Sequence, residues 1–375
     1  MILSGAESLE PATSDPAGPD AARPVTEGAA GPSAEGGARP VTLATIARLA
    51  GVSVPTVSRV VNGQGQVSAG THARIHQLLD EHGYRPRTTR KPASTGLIQV
   101  FFPGIDSGWE IEQVRGMESA AYDAGVGLVV STLGPGPAST DELRQRIRPG
   151  RIDGAILAAT SGVELLGGML DGRGIPVVAL DPGTRGASRL PTVGAANWSG
   201  SLYATRHLIA LGHRRIGMIT GWKGLLCSRA RLDGYRAALD EAGLQEDPDL
   251  IVRGDFSYGS GLEKAQRLLG LDVPPTAIVA SSDNIALGVI EAARLRGLSV
   301  PDELSVTGFD DLPGSRWSSP PLTTVRQPLQ DMGRLAARTV LSLARGKTLD
   351  TRTVELTTQL IIRKSTAPPP RSRRR

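Results

Sequence analysis

At 375 residues and a formal net charge of +5, the chain is long enough for two or three domains and has only a weak overall basic bias. Its single cysteine, Cys227, excludes an internal disulfide, and no apolar stretch approaches the ~20 residues that a membrane helix needs. Because no basic residue precedes the short apolar start of the N-terminus, we expect no secretory signal and a cytoplasmic protein.

The first 40 residues differ sharply in composition and charge from the segment that follows. Residues 1–40 are rich in Gly, Ala, Pro and Ser, have no aromatic residue, and carry six acidic side chains against two arginines. Such a segment buries too little apolar surface to fold, so we expect a disordered N-terminal extension. Residues 41–92 reverse the balance, with seven basic and two acidic side chains. This basic segment is either a nucleic-acid contact or a solvated face.

Residues 41–86 carry the start and stop signals of short helices. Thr42 precedes the apolar stretch Leu43–Leu49 and can accept a free backbone N–H, while Gly51 supplies the turn that ends this helix. Ser53 is expected to cap a second helix, and a third follows. Two short helices joined by a glycine turn form the helix-turn-helix pattern, so we predict a small all-α DNA-binding headpiece here.

The second helix leaves a set of side chains for contact with DNA. A recognition helix lies in the major groove, and Arg59 has the planar fork that reads guanine. Val54 and Pro55 carry no side-chain donor, so we expect them to read thymine methyl groups or groove shape. The remaining candidates are expected to contact phosphates, although each hydroxyl could equally be a helix cap. They are Thr42, Ser53, Thr56, Ser58, Asn62 and Thr71.

From Leu97 onward, apolar runs of strand length alternate with amphipathic helical segments. The predicted strands are Leu97–Phe102, Gly127–Ser131, Asp153–Ala158, Pro176–Leu180, Arg215–Thr220, Leu250–Arg253, Ala277–Ser281 and Leu304–Gly308. The predicted helices are Ile111–Ala124, Leu202–Leu211, Arg231–Ala242, Leu262–Leu269 and Asn284–Leu295. This alternation predicts an α/β body with parallel sheets and right-handed crossovers. Residues 97–365 are too many for one open sheet, so we expect two lobes, preceded by a linker at 87–96 and followed by a disordered basic tail at 366–375.

Four stretches resemble a known family of bacterial transcription regulators. VTLATIARLAGVSVPTVSRVVNG and VSAGTHARIHQLLDEHGYRP closely resemble the headpiece of the lactose-repressor (LacI/GalR) family. In the body, SSDNIALGVIEAARLRGLSVPDELSVTGFDD and SPPLTTVRQPLQDMGRLAARTVL are similar to its C-terminal signature stretches. The resemblance covers about Val41 to Ser365.

The resemblance implies a two-lobed fold like that of periplasmic sugar-binding proteins, with an effector in the cleft between the lobes. Ligands of open α/β sheets bind beyond the carboxyl ends of the strands, so polar residues that follow the predicted strands are candidates. Arg231 matches the family position that typically holds a ligand hydroxyl, and Trp109 offers a flat face to a sugar ring. Each carboxylate could instead be a turn residue or a helix cap. The candidate effector residues are Asp106, Ser107, Trp109, Asp181, Arg231, Ser282, Phe309 and Asp310.

The resemblance also implies a homodimer that reads a near-palindromic operator in double-stranded DNA, with one headpiece on each half-site. Effector binding would change the angle between the lobes and so bias the DNA-competent state. In many members the linker folds into a hinge helix whose leucine enters the minor groove. Here the matching position is Ala93, and Pro92 disfavours a helix across Lys91. We therefore expect Arg87 and Arg90 to contact phosphates or the minor groove.

The sequence contains no catalytic set. It has no phosphate-loop motif, no GxSxG elbow and no metal-binding spacing among its five histidines, so we expect neither enzymatic activity nor a cofactor. The expected function is a repressor of carbohydrate-utilisation genes, controlled by a sugar or sugar-like effector. A helix-turn-helix does not reveal the sign of regulation. The alternative is an activator or corepressor-dependent regulator that responds to a non-sugar metabolite.

Overall fold

The computed structural model describes residues 42–61, 67–82, 94–133, 151–158, 163–182 and 190–370. The chain divides into two compact units between Thr88 and Thr89. Some of the sequence predictions lie outside the described residues. These are the N-terminal extension at 1–40, Asn62, Arg87, Arg90 and residues 87–93 of the linker.

The described part of the first unit contains three short helices around a small aliphatic core. They are α1 (Leu43–Ala50), α2 (Val54–Val61) and α3 (Ala69–Glu81). The Thr42 hydroxyl accepts the backbone N–H of Thr45 at the start of α1, and Gly51 ends that helix with a φ of 68°. Ile46, Val57 and Ile75 are fully buried between the three helices. The predicted helix-turn-helix and its third helix are therefore confirmed.

The second unit contains two six-stranded sheets, and the first sheet is entirely parallel. Its strands are β1 (Leu97–Phe102), β2 (Gly127–Thr132), β3 (Gly154–Ala158), β4 (Val177–Leu180), β5 (Thr192–Ala195) and β11 (Thr353–Leu356), in the spatial order β11-β5-β4-β3-β1-β2. The described helices of this lobe are α4 (Gly108–Asp123), α5 (Val163–Asp171) and α11 (Leu329–Ala344). Helix α11 packs on α4 and on β3, β4 and β5. Strands β3 and β4 are buried along their whole length, and their small and aliphatic side chains form the centre of this lobe's core.

The second sheet is parallel except for its edge strand. Its strands are β6 (Ile216–Thr220), β7 (Ile251–Arg253), β8 (Ala277–Ala280), β9 (Ser305–Asp310), β10 (Thr323–Arg326) and β12 (Gln359–Ile361), in the order β12-β10-β9-β8-β6-β7. Strand β12 runs antiparallel to β10. The helices of this lobe are α6 (Asn197–Ala210), α7 (Leu226–Glu241), α8 (Tyr258–Leu269), α9 (Asp283–Leu295) and the short α10 (Pro313–Trp317).

The two-lobed α/β body with parallel sheets confirms the predicted fold class. The chain passes between the lobes three times: after β5, after β10, and between β11 and β12. Each lobe is thus built from segments that are distant in sequence. Strands β5, β10, β11 and β12 were not predicted from the sequence, and the first three each lie on the N-terminal side of one crossing.

The prediction of a disordered tail from Thr366 is wrong at its first residues. The side chain of Thr366 lies 2.9 Å from His207 Nε2, and the carbonyl oxygen of Ala367 lies 2.9 Å from His213 Nε2. The Ala367 N–H also donates to Ser305 Oγ at 3.0 Å. These bonds fix the segment against the second sheet, and a composition rich in Pro and Arg does not reveal them.

Candidate functional sites

The exposed face of α2 carries the predicted base-reading residues. Val54 is 42% exposed, and Pro55 and Arg59 are also exposed, whereas Val57 and Val60 on the opposite face are buried. No ion pair holds Arg59 within the described residues. The Arg59 guanidinium can therefore turn toward a ligand without breaking an ion pair.

Four of the predicted phosphate-contacting hydroxyls, those of Thr42, Ser53, Thr56 and Thr71, lie at helix starts, whereas Ser58 lies in the middle of α2. Ser53 Oγ accepts the Thr56 N–H at 3.3 Å and lies 2.8 Å from Thr56 Oγ1. The Thr71 hydroxyl lies 2.8 Å from Ser68 Oγ, and Ser68 caps α3 by accepting the Thr71 N–H. These contacts support the helix-cap interpretation of Thr42 and Ser53, whereas at α3 the cap is Ser68 and Thr71 is its partner. A capping hydroxyl keeps a further lone pair, so it can still meet a phosphate through a water molecule.

A buried arginine lies at the centre of the second site. Arg231, on α7, is 3% exposed; its Nε donates to Asn197 Oδ1 at 2.8 Å and its Nη1 donates to the carbonyl oxygen of Ser281. Its guanidinium carbon lies 3.8 Å from the centroid of the Phe309 ring, and Nη1 lies 3.8 Å from Asp310 Oδ1. The ring and the hydrogen bonds fix the guanidinium plane, which is the preorganisation a small-molecule site needs.

Two buried carboxylates face this arginine from the ends of two strands. Asp310 ends β9, and burial raises its pKa to about 7, although Arg231 opposes the shift. Gln327 Nε2 donates to Asp310 Oδ1 at 2.6 Å. Asp181 follows β4 in the first lobe, and burial raises its pKa while Arg231 again opposes the shift. The cleft thus brings acids from both lobes to one guanidinium.

Several buried polar atoms around this arginine have no hydrogen-bond partner within the described residues. They include Ser228 Oγ, one turn before Arg231 on α7, Ser281 Oγ, and Gln327 Oε1. Buried polar groups in native proteins are almost always paired, and an orphan needs an explanation. A polar ligand or a water molecule in the cleft would supply the missing partner.

Other predicted effector residues have structural roles in this fold. Ser107 caps α4 in a reciprocal box with Glu110, and Trp109 packs edge-on against Phe102 with ring centroids 6.4 Å apart. Ser282 caps α9 by accepting the Ile285 N–H at 3.1 Å. Asp106 is exposed before α4. Of the eight candidates, the structure brings Arg231, Phe309, Asp310 and Asp181 together.

Three residues of the cleft were not predicted from the sequence. Asn197 and Gln327 hydrogen-bond to Arg231 and Asp310, and Phe256 places its ring 5.7 Å from the Arg231 guanidinium. Asn197 comes two residues after β5 and Gln327 directly follows β10, the two strands that the apolar pattern did not reveal. The strand-end rule would have found both residues if those strands had been recognised.

Two further acidic residues near Asp310, Asp283 and Asp311, have structural roles. Asp283, at the start of α9, is 1% exposed; it accepts the Leu312 N–H at 2.7 Å and the Thr324 hydroxyl. Asp311 is held by Arg326 and Arg363. Neither carboxylate is available to a ligand without breaking these bonds, so Asp283 and Asp311 position the loops around Asp310.

Among the described residues there is neither a candidate membrane helix nor a candidate metal cluster. No described helix is both long and apolar enough to cross a membrane. Within the same residues, no three His, Cys, Asp or Glu side chains are grouped so that they could hold a metal ion.

Comparisons with known proteins agree with both units. Residues 42–87 match the family described as bacterial regulatory proteins, lacI family, and residues 205–366 match a periplasmic binding protein-like domain. The HTH-type transcriptional regulator CelR of Thermobifida fusca is 33% identical over 341 residues, which are 86% of this chain and 98% of CelR. This chain belongs to the lacI family. It is therefore a DNA-binding transcription regulator, like the HTH-type transcriptional regulator DegA of Bacillus subtilis, which is 32% identical over 87% of this chain and 98% of DegA.

Solved structures of lacI-family regulators share the whole architecture. A CelR–cellobiose complex superimposes with a TM-score of 0.68 at 32% identity, covering 87% of this chain and 99% of that one. The lac repressor dimer bound to operator and an anti-inducer gives a TM-score of 0.65 at 28% identity, covering 88% and 100%. The predicted family and the headpiece-plus-body fold are confirmed.

Proposed function

We propose that this regulator represses carbohydrate-utilisation genes and binds its near-palindromic operator as a homodimer, with a small sugar in the Arg231 cleft as its effector. The observation that carries the effector proposal is the cluster of Arg231, Asp310 and unpartnered polar atoms beyond the strand ends. Two similar structures support the proposal. The CelR complex holds cellobiose, which supports a sugar effector, and the lac repressor is a dimer bound to operator, which supports a dimer on DNA.

The chemistry of the cleft suits a polyhydroxylated ligand. A sugar hydroxyl both donates and accepts, so one hydroxyl can donate to Asp310 while accepting from Arg231. Ser228, Ser281 and Gln327 offer further polar atoms without protein partners. A hydroxyl-rich ring can satisfy several of these groups at once, whereas an apolar ligand would leave them buried and unpaired.

Effector binding can be coupled to DNA binding because the cleft residues come from both lobes. Asp181 belongs to the first lobe, while Arg231 and Asp310 belong to the second. A ligand that contacts both lobes favours one angle between them, so it shifts the equilibrium between the states that bind DNA well and poorly.

On the DNA side, α2 is proposed to enter the major groove. Arg59 reads a guanine, while Val54 and Pro55 contact thymine methyl groups or read shape. The hydroxyls at the helix starts and the linker arginines Arg87 and Arg90 are proposed to contact phosphates, which sets register without reading sequence.

Selection of duplexes from random DNA, followed by binding measurements with a panel of sugars, tests this function. We expect a near-palindromic consensus, and at least one sugar that changes operator affinity. Arg231→Ala should abolish the sugar response while leaving basal operator binding intact. Arg229→Ala is the matched control, because Arg229 lies on the same helix with a side chain 66% exposed. If the selection enriches no duplex, operator recognition is contradicted. If no sugar changes operator affinity, the carbohydrate effector is contradicted.

The sign of regulation needs a separate measurement. Transcription in vitro from a promoter that carries the selected site should fall when the protein is added and recover with the effector. A rise on adding the protein would favour an activator, and repression that requires the metabolite would favour a corepressor-dependent regulator.

A further inference from the structure

The cleft continues from Arg231 into a cavity of about 300 Å³ whose charged lining is acidic. Asn197 connects the two parts, since it accepts a hydrogen bond from Arg231 and also lines the cavity. Asp181 and Glu355 line the same space, and no Lys, Arg or His does so among the described residues. Trp198, which is 44% exposed, adds an indole to the wall.

Asp181 lacks the partners that a buried carboxylate normally has. It is 6% exposed, and the one hydrogen bond that its carboxylate accepts from the described residues comes from Asn197 Nδ2, at 3.5 Å. No cation within the described residues lies at ion-pair distance from it; the paired acid of Arg231 is Asp310. Buried charges are normally paired, so among the described residues this carboxylate is left short of one positive charge.

A second acid near Asp181 increases the excess of negative charge there. Glu355, on the edge strand β11, is close enough to raise the pKa of Asp181 further, beyond the effect of burial. Arg231 lowers it, but the hydrogen bonds of that guanidinium go to Asn197 and Ser281. An anionic ligand would add a third negative charge here, while a neutral hydroxyl would leave the imbalance unchanged. An ammonium group would pair with Asp181 and Glu355 and could lie against the Trp198 indole.

We propose that the effector of this regulator carries a positively charged amine, held between Asp181 and Glu355 beside Trp198. The inference rests on the proposed sugar effector and makes its class an amino sugar, with the ring hydroxyls at Arg231 and Asp310. A phosphorylated sugar is disfavoured by the same carboxylates.

Titration calorimetry on the full chain at pH 7 tests this with matched sets of probes: glucose, galactose and mannose, their 2-amino derivatives, and their 6-phosphates. We expect an amino sugar to bind at least about tenfold more tightly than its parent, the order expected of one buried charge pair. Asp181→Asn should remove this preference, so that the amino sugar and its parent bind with similar affinity. Asp181 has a φ of 45°, which asparagine tolerates, so the variant should fold and melt no lower than wild type.

Asp240→Asn is the control, because Asp240 is an exposed acid on α7 outside the cavity. This variant should keep the amine preference. A parent sugar or a phosphate that binds as tightly as the amine would overturn the inference while leaving the sugar effector in place. An amine preference that survives Asp181→Asn would also overturn it. If no probe of any charge binds, both the inference and the proposed carbohydrate effector fail.

Discussion

Asp310 and Asp311 are consecutive residues with positive φ, yet their carboxylates lie in opposite electrostatic surroundings. The Asp311 side chain is 1% exposed, and Arg326 Nε donates to it at 2.7 Å while Arg363 donates to its other oxygen. Burial opposes the effect, but these bonds lower the pKa of Asp311. Asp310 has the more distant Arg231 and neutral hydrogen-bond donors, so burial raises its pKa to about 7. Asp311 is thus neutralised by close ion pairs inside the protein, whereas the closest cation to Asp310 among the described residues is Arg231, at 3.8 Å.

Asp310→Asn should therefore stabilise the ligand-free protein at alkaline pH. An Asp whose folded-state pKa is raised contributes stability that is present below its ordinary value of 3.8 and is lost as pH rises through about 7. Asparagine never ionises, so we expect the variant to melt well above wild type at pH 8 and to keep a smaller advantage at pH 5, which disappears only below pH 3.8. Differential scanning calorimetry at both pH values checks this, and the sugar response should be lost at both. An equal shift at the two pH values would contradict an ionisable Asp310.

Much of this cleft could be predicted, and what was missed has a physical cause. The eight predicted strands are apolar runs and all are present, with shifts of one or two residues at their ends. Strands β5 and β10, with sequences TVGA and TTVR, have no apolar run, because glycine, threonine and arginine replace aliphatic residues. Without these strands, Asn197 and Gln327 could not be placed at the sheet edge.

The roles of two serines could not be predicted from the sequence for a different reason. Ser107 and Ser282 follow strands and precede helices, so a ligand contact and a helix cap predict the same residue at the same position. Only the hydrogen bonds of the folded chain distinguish these roles. Arg231 was found because its family position was recognised, and its buried partners could not be derived from a local pattern.

Arg59→Ala should relax operator selectivity at one base pair of each half-site. The exposed guanidinium is the proposed main polar reader on α2, so its loss should cost about 1–3 kcal/mol at that position. Competition binding with every single-base variant of the selected operator measures the effect. Arg48→Ala, at an exposed position on α1, is the control and should leave the base preference unchanged. An unchanged preference in Arg59→Ala would remove Arg59 from base reading.

Acid should destabilise the body through His213. This histidine is 1% exposed, lies 2.9 Å from Thr276 Oγ1 through Nδ1, and contacts Ser305 and Ala367 through Nε2. Burial lowers its pKa below the ordinary 6.5, so the unfolded chain takes up the proton more readily. The stability is present above pH 6.5 and lost as pH falls through the folded-state pKa.

Thermal melting between pH 5 and 8 measures this dependence. His213→Gln should melt at a lower temperature at pH 8, because it loses these contacts, and should show a weaker fall toward pH 5. Some fall should remain, since burial also lowers the pKa of His207. His76→Gln, at an exposed position on α3, should retain the full wild-type pH dependence. A wild-type pH profile in His213→Gln would show that another group controls the acid transition.

Gly116→Ala should destabilise the first lobe by separating α4 from α11. A Cβ on Gly116 would overlap the carbonyl oxygen of Gln330, and one on Gly333 would overlap the carbonyl oxygen of Gln113, so the two helices meet through their backbones. Overpacking of this kind costs about 1–3 kcal/mol, and a rigid backbone neighbour places the change at the upper end. Gly168→Ala is the matched control, because Gly168 lies inside α5 with open space around its Cβ position. That variant should gain about 0.5–1 kcal/mol from helix propensity. Urea denaturation measures the free energy of unfolding, which should fall in Gly116→Ala and rise in Gly168→Ala. A stabilised Gly116→Ala would show that α4 and α11 can separate at little cost.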